Sequence, residues 1–119
     1  MINHNPSSGD IRVASRTTSG LIVTIPAGRT FSADVSLSAS IAVAGSGNPF
    51  VTFNGGGQGA EPASGTVVSR LALSGLALAV VANSTETEII VRAGDADATL
   101  DFNVGGTSSA AVSINGFLI

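Results

Sequence analysis

The side chains of this chain that could do chemistry are one histidine and a few closely spaced carboxylates. His4 is the only histidine, and a Ser-His-acid triad would need it as the general base. It lies in a polar N-terminal segment without a periodic apolar pattern, where a catalytic geometry is hard to hold. We therefore interpret His4 as a solvated residue and expect no triad.

Three aspartates, Asp95, Asp97 and Asp101, are candidate oxygen ligands for calcium. Their spacing matches only the start of an EF-hand loop, because the glycine and the final glutamate of that loop are missing. Asp101 also falls on a predicted strand. Aspartates in a turn commonly hydrogen-bond their own backbone, so we favour that interpretation and expect no metal site.

Glu86 and Glu88 are a closely spaced pair of carboxylates that we interpret as solvated. At positions i and i+2 they would share one strand face, a placement that glycoside hydrolysis could use. The chain has no Trp or Tyr to line a sugar cleft.

The glycines of Gly55–Gly59 are not followed by the Lys-Ser/Thr and helix of a phosphate-binding loop. The sequence thus predicts a protein that is not an enzyme and holds no cofactor.

The element that must organise the chain is the segment from Thr30 to Ala44. Every second residue from Phe31 to Val43 is apolar, and the intervening positions from Ser32 to Ser40 are polar. A period of two places these two series on opposite faces of a β-strand. Because typical strands have about 5–6 residues, the segment is either one long strand or two consecutive ones.

Further strands are indicated by β-branched content and alternation between turn signals. Segment 21–25 and the long strand form either a hairpin or a corner between two sheets, joined by a Pro-Ala-Gly turn. A turn at Asn83–Thr85 and a kink or bulge at Asn115–Gly116 are also predicted. The predicted strands, besides the long one, are Gly20–Ile25, Phe50–Phe53, 66–73, 76–82, Glu88–Arg92, Ala98–Val104 and Ala110–Ile119.

About eight short strands without a convincing helix predict an all-β fold. We expect an antiparallel β-sandwich, with a jelly roll as one form that it could take. The length of 119 residues fits one domain. We assign residues 1–10 to a flexible or docking N-terminal arm and residues 11–119 to the sandwich.

Composition narrows the classes of partner. The formal net charge is −3 and the five basic residues are all arginines, so we expect no nucleic-acid surface. The most apolar stretch, Leu71–Ala82, is shorter than the roughly 20 residues of a membrane-spanning helix, so we expect no membrane partner. The mean hydropathy of +0.45 instead suggests that some apolar surface is buried between subunits.

Part of the chain resembles a known family. Segments Val23–Ser32, Val35–Ser40 and Gly57–Thr66 are similar in style to small β-sandwich proteins that decorate or cement the capsids of tailed bacteriophages. The likeness covers residues 20–75 and lies in Thr/Ala/Gly/Ser-rich strands with short Pro-Ala-Gly turns. It implies a virion structural protein on the capsid surface, bound to the major capsid protein or other virion proteins. It also implies a homo-oligomer, with a trimer favoured, and no catalytic residues.

The N-terminal arm and the loop 54–65 are the segments whose backbone has no evident partner within the domain. Backbone groups of this kind need partners elsewhere, so we expect these two segments to make the protein–protein contact. The candidate interface residues are Ile2, Asn3, His4, Asn5, Pro6, Asn54, Gln58 and Glu61.

A second class of function stays open. The chain could be a non-catalytic binding module, such as a tail-fibre or adhesin-like β-sandwich that recognises glycans on a host surface. The absence of Trp and Tyr weighs against it, because sugar faces stack on aromatic rings. A small hydrolase is the least favoured of the three classes.

Overall fold

The computed structural model describes residues 10–41, 45–75 and 81–119. Within these ranges the chain forms ten strands and no helix, so the all-β prediction is confirmed. In chain order the strands are β1 (Ile11–Arg16), β2 (Gly20–Ile25), β3 (Thr30–Ile41), β4 (Gly45–Gly47), β5 (Phe50–Gly55), β6 (Thr66–Arg70), β7 (Leu73–Gly75), β8 (Val81–Arg92), β9 (Ala98–Asn103) and β10 (Ser109–Leu118).

Eight of these strands form two four-stranded antiparallel sheets. The first sheet has the order β1-β10-β3-β8 and the second has the order β2-β9-β5-β6, while β4 and β7 form a small separate pair. Buried apolar side chains from both sheets form one core, so the sheets are the layers of a sandwich. The chain passes between the layers in jelly-roll order, which confirms the predicted sandwich of about eight strands.

β3 is the strand that the alternating pattern predicts, and it is one continuous element rather than two. Its apolar series from Phe31 to Ile41 is buried, whereas the intervening residues are half-buried or exposed. β3 pairs with β10 along one edge and with β8 along the other, so it lies inside its sheet. Residues 42–44, the end of the predicted segment, lie outside the described residues.

The connection between β2 and β3 is a corner between the two sheets and not a hairpin. The Arg29 N–H donates to the Pro26 carbonyl at 3.1 Å, and Gly28 has a φ of 76°, a conformation that favours glycine. The Arg29 guanidinium then pairs with Asp10 at 2.9 Å and donates to the Ile119 carbonyl at 3.1 Å. Asp10, assigned to the arm from the sequence, is therefore attached to the sandwich.

β8 departs from the prediction, because the turn expected at Asn83–Thr85 is wrong. Val81–Arg92 is one strand of 12 residues, and each of its residues pairs with a residue of β3. The long partner strand thus overrides the local turn preference of the Asn-Ser-Thr sequence. Residues 76–80, most of the predicted strand 76–82, lie outside the described residues.

Two further boundaries are corrected. The predicted strand 66–73 is divided, since β6 ends at Arg70 and β7 begins at Leu73 to pair with β4. The predicted kink at Asn115–Gly116 is wrong, because β10 pairs there in unbroken register with both β1 and β3. A Cβ on Gly116 would collide with the Ser32 carbonyl, so glycine serves close strand approach rather than a bulge.

Candidate interaction surface

Two of the candidate calcium ligands join loops together. The Oδ1 atom of Asp95 accepts a hydrogen bond from the Gln58 N–H at 2.7 Å. The Oδ1 atom of Asp97 accepts one from the Ala27 N–H at 2.9 Å. Both donors belong to other loops, so the expectation that these aspartates bond their own turn is wrong. Their carboxylates connect the loops at one end of the sandwich.

Asp101 lies on the solvent side of the second sheet, where neighbouring side chains satisfy it. Its Oδ2 atom accepts hydrogen bonds from Asn54 Nδ2 and from Thr99 Oγ1, each at 2.8 Å. Across residues 10–41, 45–75 and 81–119, no group of three or more potential metal-ligating side chains is arranged to hold an ion. His4 lies outside those ranges, so its interpretation stays a prediction.

The loop 54–65 is hydrogen-bonded to the rest of the domain, so the expectation that its backbone lacks partners there is wrong. The Gly56 N–H donates to the Asp97 carbonyl at 3.0 Å, and the Gly56 carbonyl accepts from Gly94 at 2.8 Å. Glu61 and Arg92 exchange two backbone hydrogen bonds, of 2.9 and 2.7 Å. Gly56 has a φ of 88°, which lets the loop fold back onto residues 92–97.

The predicted interface residues of this loop differ from one another in their exposure and their contacts. The Asn54 amide is engaged with Asp101, while Gln58 and Glu61 are exposed. Glu61 Oε1 lies 3.5 Å from Arg92 at the end of β8. Ile2, Asn3, His4, Asn5 and Pro6 lie outside the described residues, so their role stays a prediction.

A surface that the sequence prediction did not single out is the solvent side of the first sheet. The central strands β3 and β10 present small side chains there, including Ser113 and Ala111 of β10. The outward residues of β3 are Ser32, Asp34, Ser36, Ser38 and Ser40. Near the Ile11 end, larger residues of β1 and β8 flank them on both sides. We call this face the serine trough.

The serine trough is a series of shallow depressions along the strands. Three of them, with volumes of about 770, 510 and 210 Å³, follow one another from the Ile11 end to the Ser109 end. Ser32 and Ser40 mark its length, which is about 27 Å at roughly 3.4 Å per residue. That length matches an extended segment of about nine residues.

One end of the trough is apolar. Ile11 and Val13 of β1 are 46% and 70% exposed, and Ile90 of β8 is 73% exposed. Ile11 and Phe117 are cross-strand partners, and both line the largest depression together with Ile90. Ile90 also lines a neighbouring cleft with Val67. Large apolar side chains gathered on a sheet face are typical of surfaces that another molecule covers.

The part of the trough next to its apolar end is acidic. Asp34 and Glu88 are direct cross-strand partners, and Glu86 follows on the same face of β8. The two ion pairs of the described residues, Arg29–Asp10 and Arg92–Glu61, do not involve these three carboxylates. Like charges that face each other across two strands cost stability, by roughly 0.2–1 kcal/mol.

The sequence contains part of the signal for this surface. The serine series of β3 and the shared face of Glu86 and Glu88 are both read from alternation. The opposition of Asp34 and Glu88 could not be read, because it depends on the register between β3 and β8. For the same reason the apolar end, with Ile11 and Ile90 on opposite edge strands, was missed.

A scan against protein-family models found no matching family, and a search of curated proteins found no matching protein. Among the described residues, no helix has the length and apolar character to cross a membrane.

Proposed function

We propose that this protein is a non-catalytic virion structural protein, a capsid decoration or cement subunit that binds other proteins through the serine trough. The observation that carries the proposal is the apolar end of the trough, where Ile11, Val13 and Ile90 are exposed together on one sheet face. Side chains of this kind release apolar surface from water when a partner covers them, at about 25 cal/mol per Å².

The architecture supports the proposal by analogy. Jelly rolls recur in viral capsid proteins and in lectins, although a fold alone does not define a function. The resemblance of residues 20–75 to decoration proteins of tailed phages points to the first of these uses. The partner is then the major capsid protein or another virion protein, and the subunit acts on the capsid surface as a homo-oligomer, with a trimer favoured.

Co-sedimentation tests this function directly. Purified protein is mixed with empty shells assembled from the major capsid protein of the same genome, and the pellet is quantified over a range of protein concentrations. Saturable binding, at a fixed number of copies per shell, is expected. Protein that stays in the supernatant at every concentration would overturn the proposal. Sedimentation velocity of the free protein, over the same concentrations, tests the oligomer.

The glycan-binding alternative has one observation in its favour. In the largest depression, Phe117 lies beside Asp34, Glu88 and Asn115, and an aromatic ring next to carboxylate and amide groups can recognise a sugar. A glycan array tests it. Specific binding that is lost in Phe117→Ala, together with no binding to shells, would favour the binding module over the capsid subunit.

A further inference from the structure

The serine trough has the repeat of an extended polypeptide. Outward residues of β3 recur at every second position, about 6.8 Å apart, and all of them except Asp34 are serines between Ser32 and Ser40. An extended guest chain has the same repeat and carries backbone N–H and C=O groups that need partners. Serine hydroxyls both donate and accept hydrogen bonds, so the floor of the trough can satisfy such a backbone.

The negative charge of the trough favours a bound segment that is positively charged. Asp34, Glu86 and Glu88 lie together on this face, and none of them takes part in the two ion pairs of the described residues. The chain as a whole carries a net charge of −3. A second copy docked face to face would bring its own three carboxylates against these, which is repulsive. A guest with Lys or Arg at alternate positions would neutralise them.

A metal ion does not account for the acidic cluster. Within the described part of the chain, no three potential ligands are grouped closely enough to coordinate a cation. Opposed carboxylates on neighbouring strands lower the stability of the sheet, so they are not explained by folding either. Binding surfaces commonly keep residues that folding alone would not select.

We propose that the guest of the serine trough is an extended, basic segment of the partner protein. Its alternate Lys or Arg side chains lie over Asp34, Glu86 and Glu88, and its apolar residues contact the end formed by Ile11 and Ile90. This inference rests on the proposed function, because it names the partner chemistry of the same surface.

The test uses a labelled nine-residue peptide that alternates arginine with serine and ends in two valines. Binding to the full-length protein is followed by fluorescence anisotropy. The matched control peptide has glutamate in place of each arginine. The basic peptide is expected to bind at low salt and to weaken as NaCl rises from about 0.05 M to about 0.5 M. Absence of binding, or equal binding of the acidic peptide, would overturn the inference.

Variants of the protein locate the binding. Glu86→Gln with Glu88→Gln is expected to weaken the basic peptide about fivefold or more, since two exposed ion pairs are lost. Thr24→Lys with Leu21→Lys adds the same two units of positive charge on the exposed side of the second sheet and is expected to leave binding within about twofold. If the glutamine variant and the lysine control lose affinity for the basic peptide equally, the effect is one of net charge and the inference is wrong.

The apolar end is tested by a double-mutant cycle. Replacing the two valines of the peptide by serine should weaken binding to the natural protein about threefold or more. The same replacement should have little effect on Ile90→Ser, because the side chain that the valines contact is gone. A valine effect that persists unchanged in Ile90→Ser would contradict the proposed orientation of the guest.

Failure of this inference can be told apart from failure of the proposed function. If the protein binds capsid shells while its trough variants bind them as tightly as the natural protein, the function stands and the basic guest is wrong. If the protein binds no shells, the proposed function is wrong. The basic segment is then supported only if the trough variants weaken binding of the peptide as described above.

Discussion

The two outer faces of the sandwich treat their charged residues in opposite ways. On the second sheet, Asp101 accepts two side-chain hydrogen bonds, and the Arg70 guanidinium lies 6.0 Å from the centre of the Phe50 ring. On the first sheet, Asp34 faces Glu88, and neither belongs to an ion pair within the described residues. One face satisfies its polar groups internally, whereas the other presents them to the exterior.

This difference distinguishes polar contacts that stabilise the fold from charged residues that do not. Cross-strand pairs that complement each other stabilise a sheet, and like charges that face each other destabilise it, each by roughly 0.2–1 kcal/mol. The second face follows this rule, whereas the serine trough violates it where Asp34 faces Glu88. Departures from local consistency are expected where a surface serves binding, so the comparison itself can be tested by equivalent changes on the two faces.

The largest expected effect comes from filling the trough. Ser38 and Thr24 are both exposed strand residues, on the first and second sheets respectively. Ser38→Phe should block docking and weaken binding to capsid shells about 100-fold, or about 2.7 kcal/mol, whereas Thr24→Phe should leave it unchanged. Co-sedimentation measures both. Equal loss in the two variants would remove the distinction between the faces.

The second effect is on stability and compares two aspartates. Asp101→Ala removes an acceptor shared by Asn54 and Thr99, so the free energy of unfolding should fall by about 1–3 kcal/mol. Asp34→Ala removes a carboxylate that faces another one, so the change should be within about 0.5 kcal/mol or be stabilising. Urea denaturation gives both values, and a large loss for Asp34→Ala would contradict the account.

The third effect is a gain in stability. Glu88→Lys places an ammonium opposite Asp34, which should raise the free energy of unfolding by about 0.5–1 kcal/mol. The gain should disappear in the Asp34→Asn background, as a double-mutant cycle by calorimetry would show. A gain of the same size in both backgrounds would mean that Asp34 is not its cause. The same variant should bind shells more weakly.

The smallest effect is that of salt on the free protein. Screening the repulsion within the trough should raise the melting temperature slightly, equivalent to a few tenths of a kcal/mol. Glu86→Gln with Glu88→Gln should reduce this salt dependence, and Thr24→Lys with Leu21→Lys, which changes the net charge by the same two units, serves as the control. A salt response that is unaltered in the double variant would show that the three carboxylates do not interact.

The sequence predicts the fold well where one face of a strand is buried. Alternation identifies β3 and β9 with their inward residues, because burial on one side imposes a period of two. It fails at Asn83–Thr85, which has the composition of a turn and is held in β8 by the long partner β3. Local preference cannot reveal a partner that is distant in the chain.

The candidate site is less accessible from sequence. The serine series of β3 was visible, but a polar strand face is the ordinary condition of a solvated sheet. What distinguishes the trough is which residues become neighbours, such as Asp34 with Glu88 and Ile11 with Phe117, and this depends on register. The expectation that the backbone of loop 54–65 lacks partners within the domain is wrong, since its glycines allow it to bond to residues 92–97.

If the partner covers the serine trough, a thiol placed in it must become less accessible on binding. The chain has no cysteine, so Ser38→Cys and Thr24→Cys each introduce a single thiol, on the first and the second face. The alkylation rate is measured for the free and the shell-bound protein. Binding is expected to slow alkylation at position 38 at least about tenfold and to leave position 24 unchanged. Equal rates at position 38 in the free and bound protein, or protection at position 24 alone, would contradict the account.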